Sequence, residues 1–388
     1  MKASTLTLCV PIIAMTAQQS AAALVIPPFL DELKFPVSII GSLISVGPIL
    51  ALAARLPSGL VYRGERARML MVAALLILTL SSFLYSFVER ALHFALVHAL
   101  NGFAQGAATT IYLAFYVEAL PPDEDRHHAM GYYAGCLAIG YSAGGFVGGF
   151  VADQLGYAAT FRFSALLGLL CLAMLFLIHK PLPAASLSRK TEGEPGLRES
   201  LKNLLHPKIA TVVIVALFLN LLHQMGGVFL PLYALAVGLT LTQVGVIRGL
   251  YALCNAITRP MSGFVVKRFG HASLSYFGLP LQSALIMLVP FFHDLGPLLV
   301  VFVLAGFLRA VVVVSNTISM VQDVDQTRVS RGVASGIFNA AGDLGNILGP
   351  SVGGLIASFT GVARLFLVGP LMIAVLFLIS LWACRSIR

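Results

Sequence analysis

The chain has 388 residues, 58% of them hydrophobic and 11% charged, with a formal net charge of +9. Soluble domains carry about 25% charged residues, so this composition excludes a water-soluble globule and makes lipid the solvent. The basic residues fall in short clusters between apolar runs and not along one amphipathic face, which argues against a nucleic-acid partner.

A spanning helix needs about 20 mostly apolar residues, and twelve such stretches can be read. The first covers 5–28. Lys2, the apolar run after it and Ser20 to Ala23 also fit a cleavable leader. The apolar run continues to Leu30, however, and cleavage would remove one member of an internal repeat, so the segment is read as a retained helix. Spans two to six follow at 37–62, 69–88, 91–117, 129–151 and 160–179. The polar, basic stretch 180–208 reads as a linker. Spans seven to twelve are expected at 209–232, 241–265, 272–293, 297–321, 331–357 and 363–384. The organisation expected is an all-α membrane protein with an N-terminal six-helix bundle at 1–179, a cytoplasmic linker at 180–208 and a C-terminal six-helix bundle at 209–388.

Twelve spans put both termini on one side. With that side cytoplasmic, the opposite face holds only Lys34, Arg90, Arg162 and Arg364. Arg55, Arg248, Arg259 and Arg309 fall within spans, and the rest of the 25 Lys and Arg are cytoplasmic, as the positive-inside rule requires. A multi-pass protein of a bacterial inner membrane, in contact with lipid and monomeric, is expected.

The two halves match at an offset of 204 residues, becoming 205 after the fourth span. Pro27/Pro231, Gly41/Gly245, Arg55/Arg259, Gly59/Gly263 and Gly102/Gly306 carry the first register. Arg126/Arg331, Gly140/Gly345, Gly144/Gly349, Gly148/Gly353 and Gly156/Gly361 carry the second. A steady register over five spans marks a parallel repeat, whose pseudo-twofold axis places a solute site between halves near the midplane.

Polar residues at bilayer depth are costly and are expected to face a cavity or each other. Span four carries His98, Asn101, Gln105, Thr109, Tyr112 and Tyr116 at helical spacing. Gln18 and Gln19 lie in span one, and Asn220, His223 and Gln224 in span seven. Arg248, Tyr251, Asn255 and Arg259 share a face of span eight. Span ten has Arg309 and Asn316, and span eleven Asn339, Asp343 and Asn346. Of these, Gln18, Gln19, Gln105, Tyr112, Asn220, His223, Gln224, Arg248, Asn255, Arg309 and Asn339 are the candidate solute ligands.

Asp343 is the one carboxylate expected deep in the bilayer. If its proton affinity depends on Arg309, it can carry a coupling proton; a permanent ion pair locking spans ten and eleven is the rival reading. His223 can carry a proton or serve as a hydrogen-bonded core residue. Two central cations, Arg248 and Arg309, against one acid hint at a solute with an anionic group, held by a guanidinium fork.

Two motifs remain. Gly345, Gly349 and Gly353 stand at i, i+4 and i+8, the spacing for close helix approach, and Pro350 permits a bend. The loop after span two runs from Arg55 and Gly59 to Arg63 and Arg66. Its counterpart after span eight runs from Arg259 and Gly263 to Lys267 and Arg268. Together with the repeat, these features resemble the major facilitator superfamily over essentially the whole chain. The glycine–proline frame is similar to the antiporter motif of its drug:proton exporters, which sits typically in span five; here span five lacks the proline. The basic loops are similar to the family's gating motif, but Arg63 and Lys267, or Tyr62 after a one-residue shift, stand where that motif has aspartate. Asp125, with Asp123 and Glu124, could pair with Arg63 or Arg66 instead, near Arg126.

The resemblance implies alternating access and export of a small organic solute in exchange for protons. A proton-coupled importer of an organic anion or metabolite is the alternative, and a non-transporting sensor or assembly partner a third reading that needs no wet cavity. No phosphate loop, nucleophile elbow or metal-ligand spacing is present in the sequence, so neither an enzyme nor a cofactor or metal is expected. Cys9, Cys136, Cys171, Cys254 and Cys384 are scattered and read as small apolar residues.

Overall fold

A computed structural model describes residues 3–120, 126–177, 207–326 and 331–386. The described residues are almost wholly helical and contain no strand. In chain order the helices are α1 (Ala3–Glu32), α2 (Val37–Val61), α3 (Ala67–Leu84) and α4 (Ala91–Ala119), then a long helix, Arg126–Leu177. That helix is broken at Gly156, where φ is 82°, a conformation that glycine adopts without a Cβ penalty. Its arms are α5 (126–155) and α6 (157–177). The second set is α7 (Pro207–Ala236), α8 (Leu241–Phe269), α9 (His271–Ile286), α10 (Leu295–Gln326), α11 (Arg331–Thr360) and α12 (Val362–Ser386).

These are twelve transmembrane helices in two sets of six. Eight ranges, from Leu8–Glu32 to Val362–Cys384, are long and apolar enough to cross a membrane, and one of them, His128–Phe176, holds both α5 and α6. The three helices outside that set, α4, α8 and α11, are ones that carry long polar stripes. Polar side chains within a span thus lower its mean hydropathy below a threshold that suits wholly apolar helices. Elsewhere large apolar side chains point outward, as with Leu76, Leu80 and Phe83 on α3 and Trp382 on α12. In water such a surface would aggregate; against acyl chains it is matched.

The described residues divide into two compact units. One gathers those within 1–187 and 230–253, the other those within 188–229 and 254–388.

The sequence repeat reappears in the helix packing. A Cβ on Gly140, Gly144 or Gly148 of α5 would run into Ile13, Ala17 or Ala21 of α1. A Cβ on Gly345, Gly349 or Gly353 of α11 would run into Leu217, Leu221 or Met225 of α7. Each partner in the second set stands 204 residues after its counterpart in the first. Gly361, matched to Gly156, has φ 84°, and Lys34 and Gly238, also matched, have φ 64° and 87°. The turns and the closest helix crossings thus recur in both halves.

Candidate functional site

In the first unit, a polar cluster forms where α1, α4 and α5 meet. Gln19 is buried, and its Oε1 accepts hydrogen bonds from Gln105 Nε2 at 3.1 Å and from the Tyr141 hydroxyl at 3.3 Å. Gln19 Nε2 is buried with no hydrogen-bond partner. Arg248 lies nearby: its Nη1 approaches the Ala23 carbonyl at 3.4 Å, and Tyr141 is within electrostatic range of both Arg248 and Arg55. The amides Gln19 and Gln105 thus meet side chain to side chain, beside a guanidinium.

Their neighbours on the same stripes serve the scaffold. Gln18 turns away from Gln19 toward α3, where its Nε2 donates to the Leu78 carbonyl at 3.2 Å and to Ser82 Oγ at 3.0 Å. The Tyr112 hydroxyl donates to the Leu8 carbonyl at 2.7 Å. His98 stands between the Tyr85 hydroxyl, 2.6 Å from Nδ1, and the Ile44 carbonyl, 3.0 Å from Nε2. A carbonyl can only accept, so Nε2 carries the proton and Nδ1 accepts from Tyr85. A helical face read from sequence spacing therefore divides into side chains that tie helices together and side chains that meet in the cluster.

In the second unit, Arg309 is 9% exposed. Its Nη1 donates to the Leu219 carbonyl at 2.9 Å and its Nη2 to Asn220 Oδ1 at 2.8 Å. Asn220 is fixed in turn, its Nδ2 donating to Ala216 O at 2.8 Å. Asp343, 8% exposed, follows Gly342, whose Cβ would stand 3.1 Å from Asn220 Nδ2. Asn220 thus touches the Arg309 head group and the turn of α11 that bears Asp343. His223 and Gln224 are half-buried, and the Gln224 Cβ packs over Gly349. Asn255 is buried; its Nδ2 donates to the Gly306 carbonyl at 3.3 Å and its Oδ1 accepts from Arg259 Nε at 3.1 Å. Asn339 is exposed.

Arg55 and Gly59, in the last turns of α2, and Arg63 and Arg66 after it are exposed, as are Arg259, Lys267 and Arg268 on α8. Neither Gly59 nor Gly263 has a neighbour within 4 Å of its Cβ position, unlike the crowded Gly345, Gly349 and Gly353. Pro350 is buried within α11. Tyr62, beside Arg63, donates its hydroxyl to Glu118 Oε2 at 2.8 Å. Burial, followed by the hydrogen bond and charge of Glu118, pushes that hydroxyl well above the usual tyrosine range. A neutral phenol thus joins the end of α2 to the end of α4. Asp125 and the side chain of Arg126 lie outside the described residues.

Tyr141 was not among the expected ligands. The repeat held the signal: Tyr141 is the register mate of Asn346, 205 residues on, and Asn346 lies on the polar face of α11.

Twelve helices in a twofold repeat, with amides and ionisable groups at bilayer depth, define a membrane carrier. The chain belongs to the Major Facilitator Superfamily, whose family model matches residues 8–330. It is 22% identical to Multidrug resistance protein 1 of Bacillus subtilis over 342 residues, covering 86% of this chain and 84% of that one. It is 23% identical to the purine ribonucleoside efflux pump NepI of Escherichia coli, over 68% of this chain and 64% of that one. Among solved structures, the nucleoside transporter NupG matches with a TM-score of 0.82, 16% identity and 99% coverage of each chain. The protein is a multi-pass membrane transporter for a small-molecule substrate and not an enzyme.

Proposed function

We propose that the protein exports a small organic solute in exchange for protons, by alternating access between six-helix halves at 1–179 and 209–388 joined by the linker 180–208. Both termini then face the cytoplasm of a bacterial cell, and a monomer in the inner membrane suffices. The observation that carries this reading is Asn220, in contact with Arg309 and with the turn of α11 that bears Asp343. A buried carboxylate is costly to ionise without a partner, and a buried guanidinium cannot shed its charge. Protonating Asp343 therefore changes what Arg309 can hold. In this scheme Gln19, Gln105 and Tyr141 supply neutral hydrogen bonds to the solute, and Arg309 supplies a charge whose availability follows the proton on Asp343. The names of two relatives, a multidrug resistance protein and a ribonucleoside efflux pump, favour export.

A second reading, import of an organic anion with protons, has one observation in its favour. Arg248 and Arg309 place two guanidiniums within helices α8 and α10, against the carboxylate of Asp343 on α11.

The test uses purified protein in proteoliposomes with inosine and ethidium as probes. Acid-loaded vesicles are expected to accumulate a probe as protons leave. Asp343→Asn is expected to lose this accumulation while keeping probe–probe counterflow. Full gradient-driven accumulation by Asp343→Asn would rule out the coupling role. Accumulation driven only by an acidic exterior would favour the importer.

A further inference from the structure

Away from the polar cluster, the carboxylate of Asp153 makes three hydrogen bonds to another helix. Asp153 lies three residues before the break at Gly156, at the end of α5. Its Oδ1 accepts from the Leu241 backbone N–H at 2.9 Å, and its Oδ2 from the Thr242 N–H at 2.7 Å and the Thr242 hydroxyl at 2.5 Å. These amides open α8, where the first N–H groups have no partner within the helix. Yet α8 already carries its own cap. Gln243 Oε1 accepts from the Thr240 N–H at 2.9 Å, and Thr240 Oγ1 accepts from the Gln243 N–H at 3.3 Å, a reciprocal capping box. That box leaves the Leu241 and Thr242 N–H groups open, and Asp153 fills both from another helix. What it adds is an attraction between helices: a negative charge on α5 held at the positive end of α8.

Beside it, α5 and α8 approach closely. A Cβ on Gly149 would strike the Leu241 backbone, and Cβ atoms on Gly145 and Gly245 would meet each other's helix. One turn further, Gly249 lies against Ser142. Two backbones in contact through small residues have few interlocking side chains to repack when they separate. Asp153 is itself exposed, so water can replace its hydrogen bonds at small net cost.

The repeat shows that this clip is not generic. The register mate of Asp153 is Ser358, which carries no charge, and the mates of its donors Leu241 and Thr242 are Val37 and Ser38. The Ser358 hydroxyl donates to Leu355 O of its own helix at 2.7 Å.

We propose that Asp153 is a gating residue. Its carboxylate clips the start of α8 to the end of α5 while the solute path is closed at this face of the membrane, and releases it when the path opens there. This rests on the alternating-access reading; with the termini inside, the face is the external one.

The test places spin labels at Leu155→Cys and Leu235→Cys, in full-length protein whose five native cysteines are replaced, and reads their distance distribution in proteoliposomes. Asp153→Ala is expected to shift the balance about tenfold toward the longer distance, the scale set by losing a charge-assisted contact. Thr242→Val, which keeps both backbone donors, is expected to shift it less. Asp153→Asn, which keeps the shape, provides the same comparison should the alanine variant fail to fold. An unchanged distribution in the Asp153 variants, with ethidium or inosine counterflow intact, would reduce the clip to a static cap and overturn the proposal. A shifted distribution in a protein that carries neither probe would uphold the latch and remove the transport reading. An impermeant maleimide added outside cells reports separately whether Leu155→Cys faces outward.

Discussion

Positions 105 and 309 are register mates, yet one carries an amide and the other a guanidinium. In the first half, Gln105 donates to Gln19, and the shared carbonyl oxygen also accepts from Tyr141. The arrangement leaves Gln19 Nε2 without a partner, a burden of about 1–3 kcal/mol. In the second half, Arg309 grips a backbone carbonyl and Asn220, because a buried charge cannot be left in that condition. One backbone plan thus holds two kinds of site. A neutral cluster can tolerate an unmatched donor and offer it to a visitor, whereas a charged one must be held by the scaffold. The proposed function uses this difference, with neutral hydrogen bonds from the first half and a charge from the second.

The largest expected effect tests the part that the halves share. Gly140→Leu and Gly345→Leu each force a side chain into the backbone of the facing helix, α1 or α7. Each is expected to lower stability by about 3 kcal/mol, the upper end of overpacking penalties, read as a fall in melting temperature of the detergent-solubilised protein. Equal losses would support a common packing scheme. A tolerant half would show that the match in close approach does not extend to energetics.

Exchanging the register mates attacks the difference directly. Arg309→Gln, which gives the second half the residue of the first, should weaken solute binding roughly tenfold while leaving the fold intact, since a hydrogen bond to a charged group contributes about 1.5–3 kcal/mol. Gln105→Arg should cost about 2.5–3.5 kcal/mol in stability, because a guanidinium at bilayer depth would meet amides and no acid among the residues described around Gln19. Titration calorimetry and thermal melts distinguish the two. If Gln105→Arg melts like the parent protein, water already fills the space beside Gln19.

Much of this architecture was legible in the sequence. Helix existence, the repeat and its register came from apolar length and glycine spacing, and the family match extends over residues 8–330. Less legible was which way a stripe residue turns. Gln18 and Gln19 are adjacent amides on one apolar helix, about 100° apart around its axis. Composition and spacing treat them alike, yet one faces α3 and the other α4 and α5. Only the neighbouring helices decide this, and their placement is tertiary information. Tyr141 escaped for a related reason: it stands alone on α5 among glycines, with no periodic partner to mark a face. Nothing in the sequence marks Asp153, just past the expected end of span five, because the donors it serves lie 88 and 89 residues away.

The smallest expected effect is the sharpest discriminator of that last distinction between adjacent amides. Gln18→Leu removes donors to the Leu78 carbonyl and Ser82, and also removes an Oε1 that has no partner. The lost hydrogen bonds and the relieved desolvation oppose each other, so the net cost should be about 1 kcal/mol. The repeat supports tolerance, since the register mate of Gln18 is Leu222, buried on α7. Gln19→Leu instead strips the shared acceptor from Gln105 and Tyr141 and removes the orphaned amide. Its melting temperature should move no more than that of Gln18→Leu, while counterflow of a bound probe falls severalfold. If Gln18→Leu abolishes counterflow and Gln19→Leu does not, the functional face of α1 lies toward α3, and the cluster around Gln19 is scaffold.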